Sequence, residues 1–77
     1  MRREVVDSES IASIGYAPQG RALEIEFRES GDVYRYFGVS AEEHAEFMAA
    51  PSKGTHLNQV FKAKGHRYVV VKRGRKS

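Results

Sequence analysis

The chain has no cysteine and no tryptophan, and only two prolines and two methionines among its 77 residues. Without cysteine there is no disulfide to staple a small fold, and no thiolate set for a structural zinc site of the usual kind. Long apolar runs are also missing. No stretch approaches the ~18 residues of a membrane span. The basic start Met1-Arg2-Arg3 is followed by Glu4 and by only Val5-Val6 before Asp7 and Ser8. That falls short of the roughly 7–15 apolar residues at the heart of a secretory signal, so the expected location is the cytoplasm, with no membrane partner. The last absence is of charge of one sign. All ten acids lie in residues 1–46, against five Lys and Arg, whereas residues 47–77 carry eight Lys and Arg and no acid. The formal net charge of +3 thus divides into −5 and +8. Such asymmetry is a prior for a polyanionic partner; a solvated basic surface paired with the acidic half accounts for it equally well.

Seventy-seven residues make one domain, 1–77, with a core expected over about 8–72 and a mobile basic tail at 73–77. A fold this small buries only about 60% of the surface its unfolded chain exposes. Its stability has to come from packing, with dimerisation as a further source, so a monomer or weak homodimer is expected.

The clearest local pattern is Ala22-Leu23-Glu24-Ile25-Glu26-Phe27-Arg28, where Leu23, Ile25 and Phe27 alternate with charge. This is the period of a half-buried strand. Residues 11–17 (IASIGYA) and 33–39 (VYRYFGV) flank it across two turns, Pro18–Arg21 and Glu29–Asp32. Keeping four residues in each turn sets Ile14 opposite Ile25 and Ile25 opposite Tyr36, with Glu26 facing Arg35 on the reverse, solvated face. A three-residue second loop flips the third strand and exposes the tyrosines. Ser40 with Glu43 forms a capping-box pattern ahead of a helix over 41–49, in which Ala41, Ala45 and Met48 share a face and Pro51 stops the run. A second helix is expected over 55–63 on Leu57, Val60 and Phe61, and a fourth, edge strand over 67–72. The predicted class is α+β, an antiparallel three- to four-stranded meander sheet with two short helices packed on one face.

These residues, taken in order, resemble the KTSC domain family. Tyr34 and Tyr36 match its central tyrosine-any-tyrosine, and Ser10, Ile14, Tyr16, Leu23, Ile25 and Phe27 its opening hairpin. Ala50-Pro51-Ser52-Lys53-Gly54 and Asn58 match its Ser-any-Gly segment and later Asn. The resemblance covers roughly residues 8–70. It departs at Tyr68-Val69, where the family carries tyrosine and then proline, and in the basic extension beyond Val71. The resemblance implies a bacterial domain that occurs alone or at the C-terminus of some lysyl-tRNA synthetases, with no catalytic activity established and RNA binding suggested by that context.

Enzyme chemistry finds little support. Ser52-Lys53-Gly54-Thr55 has the wrong order for a phosphate loop, and His44, His56 and His66 are too far apart in sequence to share a helix turn. No metal or cofactor is expected. Glu24 and Glu26 read as solvated charges. Tyr34 and Tyr36 read as core beneath the helices, with a stacking platform for nucleic-acid bases as the alternative. Ser52, Gly54 and Asn58 read as a structural loop, Asn58 bonding it from the helix. The candidates left for phosphate contacts are Lys53, Lys62, Lys64, Arg67, Lys72, Arg73, Arg75 and Lys76. The leading expectation is a non-catalytic nucleic-acid-binding module, RNA before DNA, acting through phosphates; the alternative is a protein-interaction or accessory domain with no nucleic-acid activity.

Overall fold

Five strands pair in the order of the sequence, β1 (Arg3–Val5), β2 (Ile11–Ala17), β3 (Ala22–Phe27), β4 (Val33–Phe37) and β5 (Tyr68–Lys72), every pair antiparallel. The computed structural model that gives this topology describes residues 2–74. Helix α1 (Ala41–Ala49) and helix α2 (Lys53–His56) lie between β4 and β5, and α2 runs on through a π-helical turn at Leu57–Phe61 and a 3-10 turn at Lys62–Lys64. The class is the expected α+β meander, with β1 added. Three residues with no alternation gave β1 no sequence signal.

Ile14 faces Ile25 and Tyr16 faces Leu23, as the first turn requires. The second turn differs. It spans Arg28–Gly31 rather than Glu29–Asp32: Phe27 N–H donates to Asp32 O, and Gly31 N–H donates back to Phe27 O. Gly31 sits at φ 76°, where a side chain is strained. Starting the turn one residue early moves β4 by two, so Tyr34 faces Ile25 and Tyr36 faces Leu23. The shift is even, so the tyrosines keep the inner face. It also moves Arg35 from Glu26 to Glu24.

The core gathers Ile11, Ile14, Leu23, Ile25, Tyr36 and Val39 from the sheet side with Phe47, Leu57 and Phe61 from the helices. Ser40 Oγ accepts from Glu43 N–H and the Glu43 carboxylate accepts from Ser40 N–H, completing the capping box. The buried position of α1 is Phe47, flanked by His44 and Met48, whereas Ala41 and Ala45 are exposed. The expected alanine face gives way because a phenyl ring buries more apolar area than two methyls. The second helix starts at Lys53 with Ser52 as its cap, ahead of the expected Thr55. Its π turn keeps Leu57 and Phe61 inward and leaves Val60 at 40% exposure. Gly65, at φ 71°, ends it.

The reverse face of the sheet holds a further correction. Glu24 is 3% exposed, not solvated. It accepts from Arg3 Nη1 at 2.9 Å and from Arg35 Nε and Nη2 at 2.9 and 2.6 Å. Glu26 accepts from Ser13 Oγ, which accepts in turn from Arg3 Nε. Arg28 donates to the carbonyls of Val6, Ser8 and Ile11. No helix among the described residues is long and apolar enough to cross a membrane.

Candidate functional site

The helices do not cover the whole inner face. Over β3, β4 and β5, at the end near the β3–β4 turn, an open cleft of about 1020 Å³ remains. Its floor and walls are aromatic: Phe27, Tyr34, Tyr36, Phe61 and Tyr68. Alternation along β4 sends Tyr34 and Tyr36 inward, and pairing of Tyr68 with Tyr36 puts a third ring beside them. Tyr34 stacks on Tyr68 at 5.3 Å between centroids and 21° between planes, and on Tyr36 at 6.3 Å and 27°. Phe27 and Phe61 meet Tyr34 and Tyr36 edge to face. Burial grades across the three: Tyr36 is 6% exposed, Tyr34 is partly buried, and Tyr68 is 54% exposed at the sheet edge. Tyr36 is thus packed into the core as expected, with Tyr34 partly buried against it, and both line the cleft.

None of the three hydroxyls bonds to another described residue. Yet no buried side-chain polar atom lacks a partner among the described residues, so the Tyr36 hydroxyl is reached from the cleft. Burial, then the neighbouring Tyr34 and Tyr68 phenols, pushes Tyr36 up to about 12. A neutral phenol in an apolar wall is the physical result.

Charge around the cleft is mixed. Glu9, Glu29 and Asp32 line it together with Lys62 and His66. His66 is spoken for. Its Nδ1 lies 3.1 Å from Phe37 O and its Nε2 2.9 Å from Glu43 Oε2, so only an imidazolium donates to both at once. Burial raises the Glu43 pKa, but the Ser40 N–H, the His66 hydrogen bond and the charges of His66 and Lys64 outweigh it and bring the carboxyl down to about 2. On α1, His44 stacks on Tyr16 at 4.6 Å, and desolvation lowers its pKa against an opposing pull from Glu4.

The basic candidates separate in space. Lys62, Arg67, Lys72 and Arg73 are exposed on the end of the second helix, on β5 and beside it. Arg73 reaches Asp32 at 3.5 Å, and Gly74 N–H donates to the same carboxylate. Lys64 pairs with Glu43 at 3.5 Å, and Lys53 Nζ donates to Ala50 O. Glu43 and Asp32 both lie in the acidic half, so these two pairs are the pairing between halves that the charge asymmetry left open. Arg75 and Lys76 lie outside the described residues.

Ser52 caps Thr55 and Gly54 packs against Ser10, where a Cβ would come within 2.8 Å of Ser10 Oγ. Asn58 is exposed and makes no bond to this loop among the described residues, contrary to the bonding role expected of it. The sequence reading missed Tyr68 as a ring of the stack; its place opposite Tyr36 follows only from the β4–β5 register.

The KTSC domain model matches residues 7–66. An uncharacterized protein of Stutzerimonas stutzeri (strain A1501) is 44% identical over 68 residues, which are 88% of this chain and 94% of that one. A lysine–tRNA ligase of Nostoc punctiforme is 41% identical over 54 residues, 70% of this chain but only 9% of the ligase. The crystal structure of a KTSC domain protein from Yersinia pestis superposes with a TM-score of 0.85 at 42% identity, covering 92% of this chain and 97% of that one.

Proposed function

This chain belongs to the KTSC domain family, and from that premise we propose that it is a cytoplasmic, non-catalytic module that binds single-stranded nucleic acid, RNA before DNA. The observation that carries the reading is the open tyrosine stack bordered by cations. Tyr34, Tyr36 and Tyr68 stand together in the cleft, with Lys62 in its wall and Arg67 and Lys72 exposed along the neighbouring strand edge. Aromatic faces stack on any base, and cations that track a backbone supply the salt-dependent affinity. The partial match to a lysine–tRNA ligase supports RNA as the partner.

Fluorescence-anisotropy titration with mixed-sequence single-stranded RNA and DNA tests it. Four contacted phosphates give a log–log salt slope of about −3 for a single strand. Replacing Arg67 and Lys72 by Ala flattens that slope and leaves the fold intact, because both are exposed. No binding of either nucleic acid at about 20 mM salt, where charges are least screened, refutes the reading. The protein-interaction alternative then leads, on an observation of its own. β5 is an edge strand carrying Tyr68, Val69 and Val71 at 54%, 47% and 39% exposure, the kind of edge to which another strand adds.

A further inference from the structure

The cleft and the cations beside it make opposite electrostatic demands. Phosphates seek Lys62, Arg67 and Lys72, but Glu9 and Asp32 at the cleft repel them. A strand that obeys both keeps its backbone outside and turns something uncharged and planar inward. We infer that the cleft seats one unpaired nucleobase bearing an exocyclic amino group, cytosine in preference to uracil. The inference rests on the nucleic-acid reading above and adds the identity of what enters the cleft.

Three features support it. A volume of about 1020 Å³ accommodates a single base with room for water. The tyrosine stack ends on Tyr68, half exposed at the sheet edge and nearly parallel to Tyr34, so a base extends an existing stack instead of building one. The polar groups then decide which base. The Tyr36 hydroxyl, on a side chain only 6% exposed and without a bond to another described residue, opens into the cleft. Carboxylates accept hydrogen bonds and cannot donate them. Asp32 takes the Gly74 N–H on one oxygen and Arg73 on the other, and each oxygen keeps a further lone pair. Cytosine offers its N4 amino group to such acceptors. Uracil, with a ring of the same size, offers the O4 carbonyl at the equivalent position and meets repulsion.

The test compares oligocytidine and oligouridine of equal length at one salt concentration, by anisotropy, with the full chain. Oligocytidine is expected to bind at least about fivefold more tightly, the low end of what amino-against-carbonyl discrimination delivers. Glu9→Gln and Asp32→Asn each narrow that ratio. Tyr68→Ala weakens both ligands by about fivefold or more, from lost stacking, and leaves the salt slope unchanged. Equal affinity for the two oligomers, or preference for uridine, overturns the inference while an intact salt slope keeps the nucleic-acid reading standing. No binding of either oligomer at about 20 mM salt removes both.

Discussion

Replacing Glu24 by alanine removes a carboxylate that ties β1, β3 and β4 together on the reverse face of the sheet. Its side chain is 4% exposed and accepts three bonds, one from Arg3 and two from Arg35. A hydrogen bond to a charged group contributes roughly 1.5–3 kcal/mol, so three would add to several kcal/mol if nothing compensated. Compensation is partial, because the Arg3 and Arg35 side chains are 28% and 38% exposed and regain water once released. The expected loss is about 2–4 kcal/mol, against roughly 4–12 kcal/mol for a domain of this length. In urea, with a slope near 1 kcal/mol/M, the midpoint falls by about 2 M or more. Glu46→Ala, on the exposed face of α1, shifts it by less than about 0.5 M. A double-mutant cycle gives stronger coupling of Glu24 to Arg35 than to Arg3, in line with two bonds against one. If Glu24→Ala moves the midpoint no further than Glu46→Ala, the carboxylate behaves as a solvated charge and the clamp is refuted.

The phenol of Tyr36 titrates near pH 12, read by the ultraviolet absorbance of the phenolate, and Tyr36→Phe abolishes that late step. Because its native pKa is raised, its contribution is intact below pH 10 and is lost as pH climbs from 10 to 12. Glu43 has the opposite sign. Its lowered pKa contributes stability above pH 4.5 that disappears as pH falls from 4.5 to about 2, and Glu43→Gln flattens that limb of the stability profile. Tyr36→Ala costs about 3 kcal/mol or more in a thermal or urea melt, whereas Tyr68→Ala, half exposed, costs less than about 1 kcal/mol; equal costs would contradict the graded burial of the stack.

Where one local pattern sufficed, the sequence was readable. Alternation marked β3, the turn Pro18–Arg21 set off β2 beside it, and Ser40 with Glu43 marked the start of α1. The β3–β4 register was not, because Arg28–Gly31 and Glu29–Asp32 are equally polar and the choice rests on Gly31 supplying a positive φ at the turn's last position. β1 was hidden because its reason lies elsewhere: Arg3 meets a carboxylate 21 residues away. The site divides in the same way. Two of its tyrosines announced themselves at i and i+2 of one strand. The third, the acids from loops and the capture of Lys64 and Arg73 by Glu43 and Asp32 depend on pairing between distant segments. A composition can report that cations are present; it takes the fold to say which of them are already engaged.

The strict sequential order of the strands has a consequence for how the molecule opens. β1 to β4 join through short connections, so each strand can zip onto a neighbour that is already in place. β5 alone returns after both helices, closing a connection from Phe37 to Tyr68. Loop closure over that distance is slower and entropically dearer than any hairpin here. β5, an edge strand, therefore detaches more readily than β2, β3 or β4, and its amide protons exchange ahead of those in β3. One ring of the tyrosine stack travels with it. A molecule that lodges against Tyr68 holds this last strand in place, so occupancy of the cleft is readable as slowed exchange along Tyr68–Lys72, at backbone positions the occupant never touches.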